Sequence, residues 1–313
     1  MTNTLRFIAG DWGTSNLRLY LCEYNPSGNS KVLDTLSGSG IGQLKSGFEE
    51  VFFQLVQPWL DCYGSMPVIL SGMIGSNIGW KNAPYLHCPV NAEDIATGRM
   101  SFTARGISFS ILAGLKTTNP LGLPDILRGE ELQMLGWLKQ KNQGKGKNLF
   151  VLPGTHNKWA VVENGIITNF LTAFTGEMFS LLRDNSVLIT EKDTSHFNES
   201  TFLNAVHTAS NLGSAQLIHA LFTTRSKQVL GEMKSQDAAS YLSGLIIGAD
   251  ILGANKLFAN VNNVIVIGES QLTRYYSIAL QHFGIAHRRC DPSEIAISGF
   301  ETIFKQIQLK TNT

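Results

Sequence analysis

A short turn sequence occurs twice in this chain, and this repeat constrains the fold more than any other feature. Near the start, an apolar strand over residues 5–9 leads into Gly13-Thr14-Ser15-Asn16, and two further strands follow. Near the middle, an apolar strand over residues 149–152 leads into Gly154-Thr155-His156-Asn157, again followed by two strands, which an Asn164-Gly165 turn joins. Apolar and polar residues alternate after each turn, as is typical of half-buried strands. The repeat therefore predicts two similar half-domains, each containing a strand meander.

The first copy of this turn carries groups that suit phosphate. Asp11 ends the strand two residues before Gly13, and Thr14 supplies a hydroxyl. The glycine lets the backbone approach an anion, turn N–H groups and the hydroxyl can donate to phosphate oxygens, and the carboxylate can hold Mg²⁺ through water. Two such turns facing each other would hold a triphosphate from both sides. The alternative is a pair of ordinary hairpin turns in which Gly and Asn occupy positive-φ positions.

Other nucleotide-binding motifs fit less well. No G-x-x-x-x-G-K-[ST] sequence exists, which excludes a P-loop. Gly38-Ser39-Gly40-Ile41-Gly42 begins like a dinucleotide fingerprint, but Gln43 stands where the third glycine belongs. Gly268-Glu269-Ser270 resembles the start of a nucleophile elbow, yet the closing glycine is missing.

Charge and composition limit the classes of partner. The 313 residues carry a formal net charge of +1, which gives no electrostatic reason to expect nucleic acid or an anionic membrane as a partner. No apolar run approaches the roughly 20 residues of a transmembrane helix, and the first residues contain no long apolar core and no small-residue cleavage site, so we expect no secretory signal. The four cysteines are scattered and suit reduced thiols. We therefore expect a cytoplasmic protein that binds small molecules, with its oligomeric state open and a homodimer as one option.

The length favours division into domains, because a single hydrophobic core reaches its usual limit near 300 residues. A helix is predicted over Glu130–Lys141, and the lysine-rich polar stretch 139–147 after it is typical of a connection, with a plain surface loop as the alternative. We place a first domain at 1–128, a connecting helix and hinge at 129–147, a second domain at 148–292, and a last helix at 293–309 that could pack back on the first domain.

Five short sequences occur in order along essentially the whole chain: DWGTSNLR, LSGMIGS, DILRGEE, LPGTHNKW and TGEMFSLL. Together they resemble the 2-dehydro-3-deoxygalactonokinase family of the sugar kinase/hsp70/actin superfamily. The resemblance implies an α/β, two-domain actin-like ATPase (ribonuclease H-like) fold, with a mixed sheet in each domain and flanking helices. It also implies a cytoplasmic, Mg²⁺-dependent transfer of the ATP γ-phosphoryl group to the 6-hydroxyl of 2-dehydro-3-deoxy-D-galactonate, in D-galactonate catabolism.

The same resemblance implies roles for both turns. Asp11 would orient Mg²⁺ and its water shell, while Gly13, Thr14 and Ser15 would approach the transferred phosphate. Gly154 and Thr155 would cradle the β- and γ-phosphates, with His156 and Asn157 in the same nucleotide-binding turn. The segment Gly268, Glu269 and Ser270 would lie against the adenosine, although a simple strand-to-helix turn is the alternative there.

A general base is expected just before the second turn, where related carbohydrate kinases carry a Gly-Asp-Gln-type motif. Gly129-Glu130 occupies that place, so Glu130 is the candidate base and Asp125 the reserve. The alternative is that Glu130 and Glu131 simply occupy the first turn of a helix, where the helix dipole favours acids. Arg128 could contact a phosphate or the substrate carboxylate, or could pair with a neighbouring acid; the sequence leaves these three roles open.

The acceptor is expected at the glycine-rich loop after a buried strand in the first half. Its candidate residues are Ser71, Gly72, Met73, Ile74, Gly75, Ser76, Asn77 and Trp80. Ser76 and Asn77 could bond sugar hydroxyls, and Trp80 could cover an apolar sugar face. A 2-keto acid also needs a cation or N–H donors for its carboxylate. Arg99 and Arg105 are options, although a solvated surface position suits each of them better.

The sequence leaves other substrates and other functions open. A related 2-keto-3-deoxy sugar acid, such as the gluconate epimer, would differ by one or two hydroxyl contacts that the sequence does not reveal. The same fold could also serve a phosphohydrolase, or a nucleotide or sugar sensor without catalysis.

Overall fold

A computed structural model describes residues 5–25, 30–44, 46–141, 145–191, 196–258 and 263–311. The chain forms two compact units. Unit 1 comprises Met1–Gly146, Val162–Asn169 and Asp291–Thr313, and unit 2 comprises Lys147–Val161 and Phe170–Cys290. Residues 142–144 of the predicted hinge lie outside the described residues. Within the described ranges, no helix is long and apolar enough to span a membrane.

The regular elements of the described chain include fourteen strands and ten α-helices. The strands are β1 (Leu5–Trp12), β2 (Asn16–Tyr24), β3 (Lys31–Ser39), β4 (Val68–Ser71), β5 (Tyr85–His87), β6 (Met100–Ala104), β7 (Ile107–Ile111), β8 (Gly114–Thr118), β9 (Pro124–Leu127), β10 (Lys147–Leu152), β11 (Asn157–Glu163), β12 (Ile166–Ala173), β13 (Val264–Ile267) and β14 (His287–Cys290). The helices are α1 (Phe48–Tyr63), α2 (Ala92–Thr97), α3 (Glu130–Lys141), α4 (Thr175–Asn185), α5 (Glu199–Leu212), α6 (Leu217–Leu221), α7 (Thr223–Val229), α8 (Ala238–Leu257), α9 (Ser270–His282) and α10 (Pro292–Thr311).

Unit 1 is built on a six-stranded mixed sheet with the order β3-β2-β1-β4-β7-β6. The strand β1 pairs antiparallel with β2 and parallel with β4. Because β1 is covered on both faces, its residues Phe7, Ile8 and Ala9 are all fully buried, which explains the continuous apolar run at the start of the sequence. On one face, α1 contributes Phe52 and Val56 to a core that includes Ile8. On the other face, Phe304 of α10 stacks on Phe7.

Unit 2 contains a five-stranded sheet with the order β12-β11-β10-β13-β14, in which β13 pairs parallel with both β10 and β14. Trp159 and Val161 of β11 share a buried core with Phe202 of α5 and Ile247 of α8. The helix α8 is buried around most of its circumference, because most of its residues are apolar or small on every side.

The two sheets follow one plan, and the predicted repeat is confirmed. The order β3-β2-β1-β4 of the first sheet recurs as β12-β11-β10-β13 in the second, with the parallel partner again placed beside the first strand of the meander. The predicted Asn-Gly turn between β11 and β12 is also present, because Asn164 (φ 52°) and Gly165 (φ 81°) both adopt positive φ. The predicted α/β class, with a mixed sheet in each half and flanking helices, is therefore confirmed.

Two features differ from the sequence-based description. The helix α3, assigned to a separate connecting region at 129–147, packs closely on α10 inside unit 1, where a Cβ at Gly136 would overlap the carbonyl oxygen of Ile295. A three-stranded sheet with the order β5-β8-β9 also lies in unit 1. Its strands have only three to five residues; β8 and β9 form a local antiparallel hairpin, whereas β5 pairs with β8 far along the chain, which a local pattern does not reveal.

Candidate active site

The carboxyl end of β1 in unit 1 brings three polar side chains together. Asp11 stands opposite Arg18 on the antiparallel strand β2 and beside Ser71 on the parallel strand β4. Residues paired in register on neighbouring strands point to the same face of a sheet. Asp11, Arg18 and Ser71 therefore form a polar row where β1 and β4 end.

The turn after β1 is packed from behind by a glycine-rich segment. The Gly13 N–H closes the turn by donating to the Asn16 carbonyl oxygen (2.9 Å). The N–H groups of Gly40 and Gly42 donate to the carbonyl oxygens of Ser15 (3.2 Å) and Thr14 (2.9 Å), and a Cβ at Gly40 would overlap the turn backbone. The pattern that resembles the start of a dinucleotide fingerprint thus serves close packing, and the Thr14 and Ser15 residues stay exposed.

Two glycines with positive φ bring the loop after β4 and the start of α3 against Asp11. A Cβ at Gly72 (φ 91°) would lie 2.9 Å from the Trp12 carbonyl oxygen and 3.2 Å from Asp11 Oδ1. A Cβ at Gly129 (φ 107°) would lie 3.4 Å from the Cα of Gly72. Only glycine combines this backbone conformation with so close an approach. Three of the sequences that carry the family resemblance therefore meet at one place in unit 1.

Glu131 holds this arrangement together. The residue is fully buried; its Oε1 accepts from the Ser71 hydroxyl (3.3 Å), and its Oε2 accepts from the Gly129 N–H (2.6 Å). Glu130, one residue earlier, is half-buried and accepts from the Arg128 N–H (3.1 Å). Successive helix residues point about 100° apart, so only one of two adjacent acids can face the sheet. The sequence pattern does not reveal which of the two acids faces the sheet.

Burial and like charge make these carboxyl groups hard to ionise. Burial raises the pKa of Asp11 to about 6; the Arg18 guanidinium opposes this shift, and the negative charge of Glu130 adds to it. Burial raises the pKa of Glu131 to about 7, and Glu130 again adds to the shift. Hydrogen bonds from the Gly129 and Glu131 N–H groups and the charge of Arg128 act in the opposite direction. Carboxyl groups with shifted pKa values gather at functional sites, and this cluster lies where the motifs meet.

Arg128 and Asp125 make contacts other than those expected. The buried Arg128 guanidinium donates to the carbonyl oxygens of Leu112 (3.3 Å) and Ala83 (2.8 Å) and lies 4.3 Å from the Tyr85 ring centroid. These contacts tie the segment before α3 to the neighbouring loops, and the roles predicted for Arg128 stay predictions. Asp125 accepts from the Asn119 amide (3.2 Å) and the Ile126 N–H (2.8 Å), which stabilises the loop between β8 and β9.

Part of the predicted acceptor loop belongs to the core. Ile74 is fully buried, and Met73 packs against the same core. The half-buried Trp80 ring packs edge-on against Phe102 (5.2 Å) and Phe109 (5.0 Å) in an aromatic cluster, and its contact with a sugar face stays a prediction. Gly75 packs against the Arg128 guanidinium.

The polar residues of that loop differ in exposure. Asn77 is exposed, whereas the Ser76 hydroxyl is buried and has no hydrogen-bond partner among the described residues. The two arginines considered for a carboxylate have protein partners: Arg99 donates to Ser110 Oγ (3.2 Å) and to the Ala96 carbonyl oxygen, and Arg105 pairs with Glu49 (3.3 Å).

Unit 2 contains a pocket of about 310 Å³ beside the second turn. Gly154 and Thr155 of the turn line it, together with Thr175 and Gly176 at the start of α4. The lining also includes Phe197 and the α9 residues Tyr275 and Tyr276; the Phe197 and Tyr275 rings are stacked with centroids 4.3 Å apart. The pocket thus offers apolar and aromatic surface next to a glycine-threonine turn.

The start of α4 is fastened to this turn. A Cβ at Gly176 would overlap the Gly154 carbonyl oxygen, and the Glu177 N–H donates to the Thr155 carbonyl oxygen (2.9 Å). The Glu177 carboxylate also lies 2.6 Å from His156 Nε2, and the His156 ring stacks on Phe174. The TGEMFSLL sequence therefore acts with the LPGTHNKW turn.

The remaining predicted nucleotide residues lie around the pocket. Glu269 lines it, and Gly268 packs against the turn, because a Cβ there would lie 3.0 Å from the Pro153 carbonyl oxygen. Ser270 begins α9, and its carbonyl oxygen accepts from the Thr273 hydroxyl (3.1 Å). Asn157 is fully buried and donates to Asp250 (2.7 Å).

Sequence reasoning missed several of these residues. Arg18 lies inside the DWGTSNLR sequence. The tight turn after Asp11 places the two residues opposite each other on β1 and β2, and this pairing could have been predicted. Asp250 is the single acidic residue in the otherwise apolar and small-residue helix α8, and a lone acid in such a run also signals a buried contact. Tyr276 gave no signal, because its hydroxyl meets Asp250 only in the folded unit.

Two sheets of one plan, each with a Gly-Thr turn after its first strand, define an actin-like ATPase fold. An activator of 2-hydroxyisocaproyl-CoA dehydratase from Clostridium difficile, solved with bound ADPNP, has a TM-score of 0.52 at 11% identity, covering 99% of this chain and 98% of that one. This likeness shows the fold alone. The crystal structure of a Sinorhizobium meliloti protein proposed to be a 2-dehydro-3-deoxygalactonokinase is more similar, with a TM-score of 0.87 at 30% identity over 96% of this chain and 99% of that chain.

Sequence comparison identifies the family. The model of the 2-keto-3-deoxy-galactonokinase family matches residues 11–303, so the chain belongs to this family and is a phosphotransferase with a hydroxyl acceptor. It is 30% identical to "Probable 2-dehydro-3-deoxygalactonokinase DgoK1" of Rhizobium meliloti, covering 98% of this chain and 99% of the relative. It is 29% identical to the 2-dehydro-3-deoxygalactonokinase of Escherichia coli, covering 94% of each chain.

Proposed function

We propose that this protein transfers the γ-phosphoryl group of ATP to the 6-hydroxyl of 2-dehydro-3-deoxy-D-galactonate, as a step of D-galactonate catabolism. The observation that carries the proposal is the meeting of Asp11, Gly72 and the Glu130–Glu131 pair at the end of β1, in a chain of the 2-keto-3-deoxy-galactonokinase family. The names of the relatives support this choice of acceptor.

The pocket of unit 2 is proposed to bind ATP. Its volume of about 310 Å³ is at the lower end of the range for small-molecule sites. The aromatic pair Phe197 and Tyr275 suits a nucleobase, because base–aromatic stacking depends on π-faces and not on a particular hydrogen-bond pattern. The adjoining Gly154-Thr155 turn and the start of α4 would receive the phosphates, since backbone N–H groups at such sites favour anions.

Asp11 fits a role in holding Mg²⁺. Its carboxylate is half-buried near Glu130, whose negative charge adds to the cost of ionising it, and a bound cation would reduce this cost further than Arg18 does alone. Mg²⁺ usually keeps several waters and is held by one or two carboxylates together with substrate phosphates. When bound, the ion would neutralise phosphate charge during transfer.

Glu130 is proposed as the general base that takes the proton of the acceptor hydroxyl. Its side chain is half-buried and close enough to Asp11 to influence its titration, whereas Glu131 is fully enclosed and occupied by Ser71 and Gly129. Glu131 would therefore position the Ser71–Gly72 loop without touching the acceptor. Thr14, Ser15 and Asn77 are exposed polar residues within these motifs and could contact the phosphoryl group and the sugar acid.

An assay of ADP formation tests the reaction. ATP and Mg²⁺ are supplied with 2-dehydro-3-deoxy-D-galactonate, with its gluconate C4 epimer, with D-galactonate, or with no acceptor, and the phosphorylated carbon is identified by ³¹P-coupled NMR. We expect ADP only with a 2-keto-3-deoxy acid, the galactonate epimer being preferred, and phosphate on O6. ADP released without any acceptor would indicate a phosphohydrolase, and ligand binding without ADP would indicate a sensor.

The Glu130→Gln variant tests the base. We expect kcat to fall by about 10²–10⁴-fold while the affinity for ADP is retained, because the amide cannot accept the proton. Glu50→Gln is the matched control, since Glu50 is also an acid in the first turn of a helix but is exposed on α1. Unchanged turnover of Glu130→Gln would reject Glu130 as the base.

A further inference from the structure

A buried carboxylate in unit 2 connects the second turn with a wall of the pocket. Asp250 lies on α8, one helical turn beyond Ile246 and Ile247, which line the pocket. Its Oδ2 accepts from the Asn157 amide (2.7 Å) and the Tyr276 hydroxyl (2.7 Å), and its Oδ1 accepts from the Trp159 indole N–H (3.0 Å). Three donors from two other elements thus converge on one side chain.

Only an ionised carboxylate satisfies this set of donors. A carboxylate has acceptor sites on both oxygens, whereas an amide would turn an N–H group toward one of the three donors. Hydrogen bonds to a charged acceptor are also stronger than those between neutral groups. Burial raises the pKa of Asp250 to about 6, and the three hydrogen bonds oppose that shift.

Asn157 and Trp159 connect Asp250 to the proposed phosphate turn. Asn157 is the last residue of the Gly154–Asn157 turn, and Trp159 follows two residues later on β11. Both side chains are almost fully buried, so their positions depend on the partner that they meet on α8. The carboxylate therefore fixes the end of the turn against α8.

Tyr276 connects Asp250 to the pocket itself. Its ring lines the pocket, and its hydroxyl also lies 3.4 Å from Thr175 Oγ1 at the start of α4. The Tyr276 hydroxyl has one hydrogen and donates it to the charged Asp250 carboxylate, which is the shorter of its two contacts. The Thr175 hydroxyl therefore donates to the Tyr276 oxygen. Since Gly176 packs against Gly154, a closed ring of contacts runs from the turn through α8, α9 and α4 back to the turn.

We propose that Asp250 is a positioning residue for the nucleotide: it holds the Gly154–Asn157 turn and the Tyr276 wall in the mutual geometry that ATP binding needs. This inference depends on the proposed function in one respect, namely that this turn and pocket bind ATP. Asp250 acts through Asn157, Trp159 and Tyr276, and its loss should weaken nucleotide binding while leaving the acceptor site in unit 1 unchanged.

The test compares Asp250→Asn and Tyr276→Phe with wild type by calorimetric titration with ADP and by KM measurements for both substrates. We expect the Kd for ADP and the KM for ATP to rise about tenfold or more, and the KM for the sugar acid to change less than about twofold. Tyr241→Phe is the matched control, because Tyr241 is buried on α8 with its hydroxyl 3.3 Å from Thr223. It should leave the Kd for ADP and the KM values for both substrates unchanged.

The outcomes separate the two proposals. Wild-type ADP formation and ADP binding decide the proposed function, and the ratio of variant to wild type decides the role of Asp250. If Asp250→Asn does not fold, Tyr276→Phe alone carries the test, since it removes one donor and keeps the carboxylate. If the variants have lower melting temperatures but an unchanged Kd for ADP and an unchanged KM for ATP, Asp250 is merely structural and the inference is overturned. A wild type that binds no ADP would also overturn it.

Discussion

At the scale of single residues, the cost of burying charge distinguishes Glu131 from its neighbour. The side chain has no exposed surface, and its pKa of about 7 lies well above the ordinary value of 4.5 because burial and Glu130 both disfavour the ionised form. A group whose pKa is raised by folding stabilises the fold fully below its unfolded pKa, and this contribution disappears as the pH rises through the folded pKa. Glu131 should therefore make the protein less stable as the pH rises from about 4.5 to 7.

The variant Glu131→Gln should remove this pH dependence. The glutamine resembles the protonated acid, because its oxygen can accept from the Gly129 N–H and its amide can donate to Ser71 Oγ. Near pH 4.5 the two proteins should have similar free energies of unfolding, and at pH 7 the variant should be more stable by on the order of 3 kcal/mol. Urea unfolding followed by tryptophan fluorescence at several pH values measures the difference. A difference that does not change with pH would contradict the assignment.

At the scale of the elements, α3 and α10 of unit 1 pack backbone to backbone. A Cβ at Gly136 would overlap the Ile295 carbonyl oxygen, and a Cβ at Gly299 would overlap the Leu132 carbonyl oxygen. This close approach fixes the position of α3, and α3 in turn carries Glu130 and Glu131 to the end of β1. The geometry of the candidate site thus depends on two glycines that are distant from it.

The variant Gly136→Ala should destabilise the protein by several kcal/mol, although alanine favours a helix by about 1 kcal/mol over glycine. The helices would have to separate to admit the methyl group. Gly253→Ala in α8 is the matched control, because no atom lies within 4 Å of the added Cβ, and it should stabilise by up to about 1 kcal/mol. Thermal unfolding of both variants measures the contrast. Equal melting temperatures for the two would show that α3 and α10 adapt without cost.

The elements also show how far sequence reasoning reaches. The helix predicted over Glu130–Lys141 and the two meanders follow from local apolar patterns, and the structure confirms them. The role of Gly40 does not follow, because it depends on contact with a turn formed much earlier in the chain. The choice between Glu130 and Glu131 as the buried acid likewise depends on the packing of α3, and the place of Trp80 depends on Phe102 and Phe109. What local patterns miss is set by contacts between distant segments.

At the scale of the whole molecule, the proposed function divides the chemistry between two units of the same plan. The turn after β1 and the turn after β10 occupy equivalent places in their sheets, yet their surroundings differ. In unit 1, acidic side chains gather around Asp11, whereas in unit 2 an aromatic pocket adjoins the turn. Under the proposed function, the turn of each unit would meet phosphate, with the acceptor bound by unit 1 and the nucleotide by unit 2. Variants in unit 1 should therefore affect other kinetic constants than variants in unit 2.

The C-terminal helix provides a test of this division. Unit 1 is assembled from three chain segments, and α10 supplies Phe304, which is buried and stacks on Phe7 with ring centroids 4.3 Å apart. Phe304→Ala should destabilise unit 1 by about 3–5 kcal/mol, as cavity-forming substitutions of buried aromatic residues do. Leu309→Ala on the same helix is the control, because Leu309 is 55% exposed and should cost little.

The affinity for ADP completes that test, since every residue that lines the pocket belongs to unit 2. At a temperature where Phe304→Ala remains folded, its Kd for ADP should equal that of wild type, while hydrogen exchange in β1 should become faster because unit 1 opens more often. Exchange in β10 and β13 should change less. A loss of ADP affinity as large as the loss of stability would mean that α10 supports both units, and the division of labour proposed for them would be wrong.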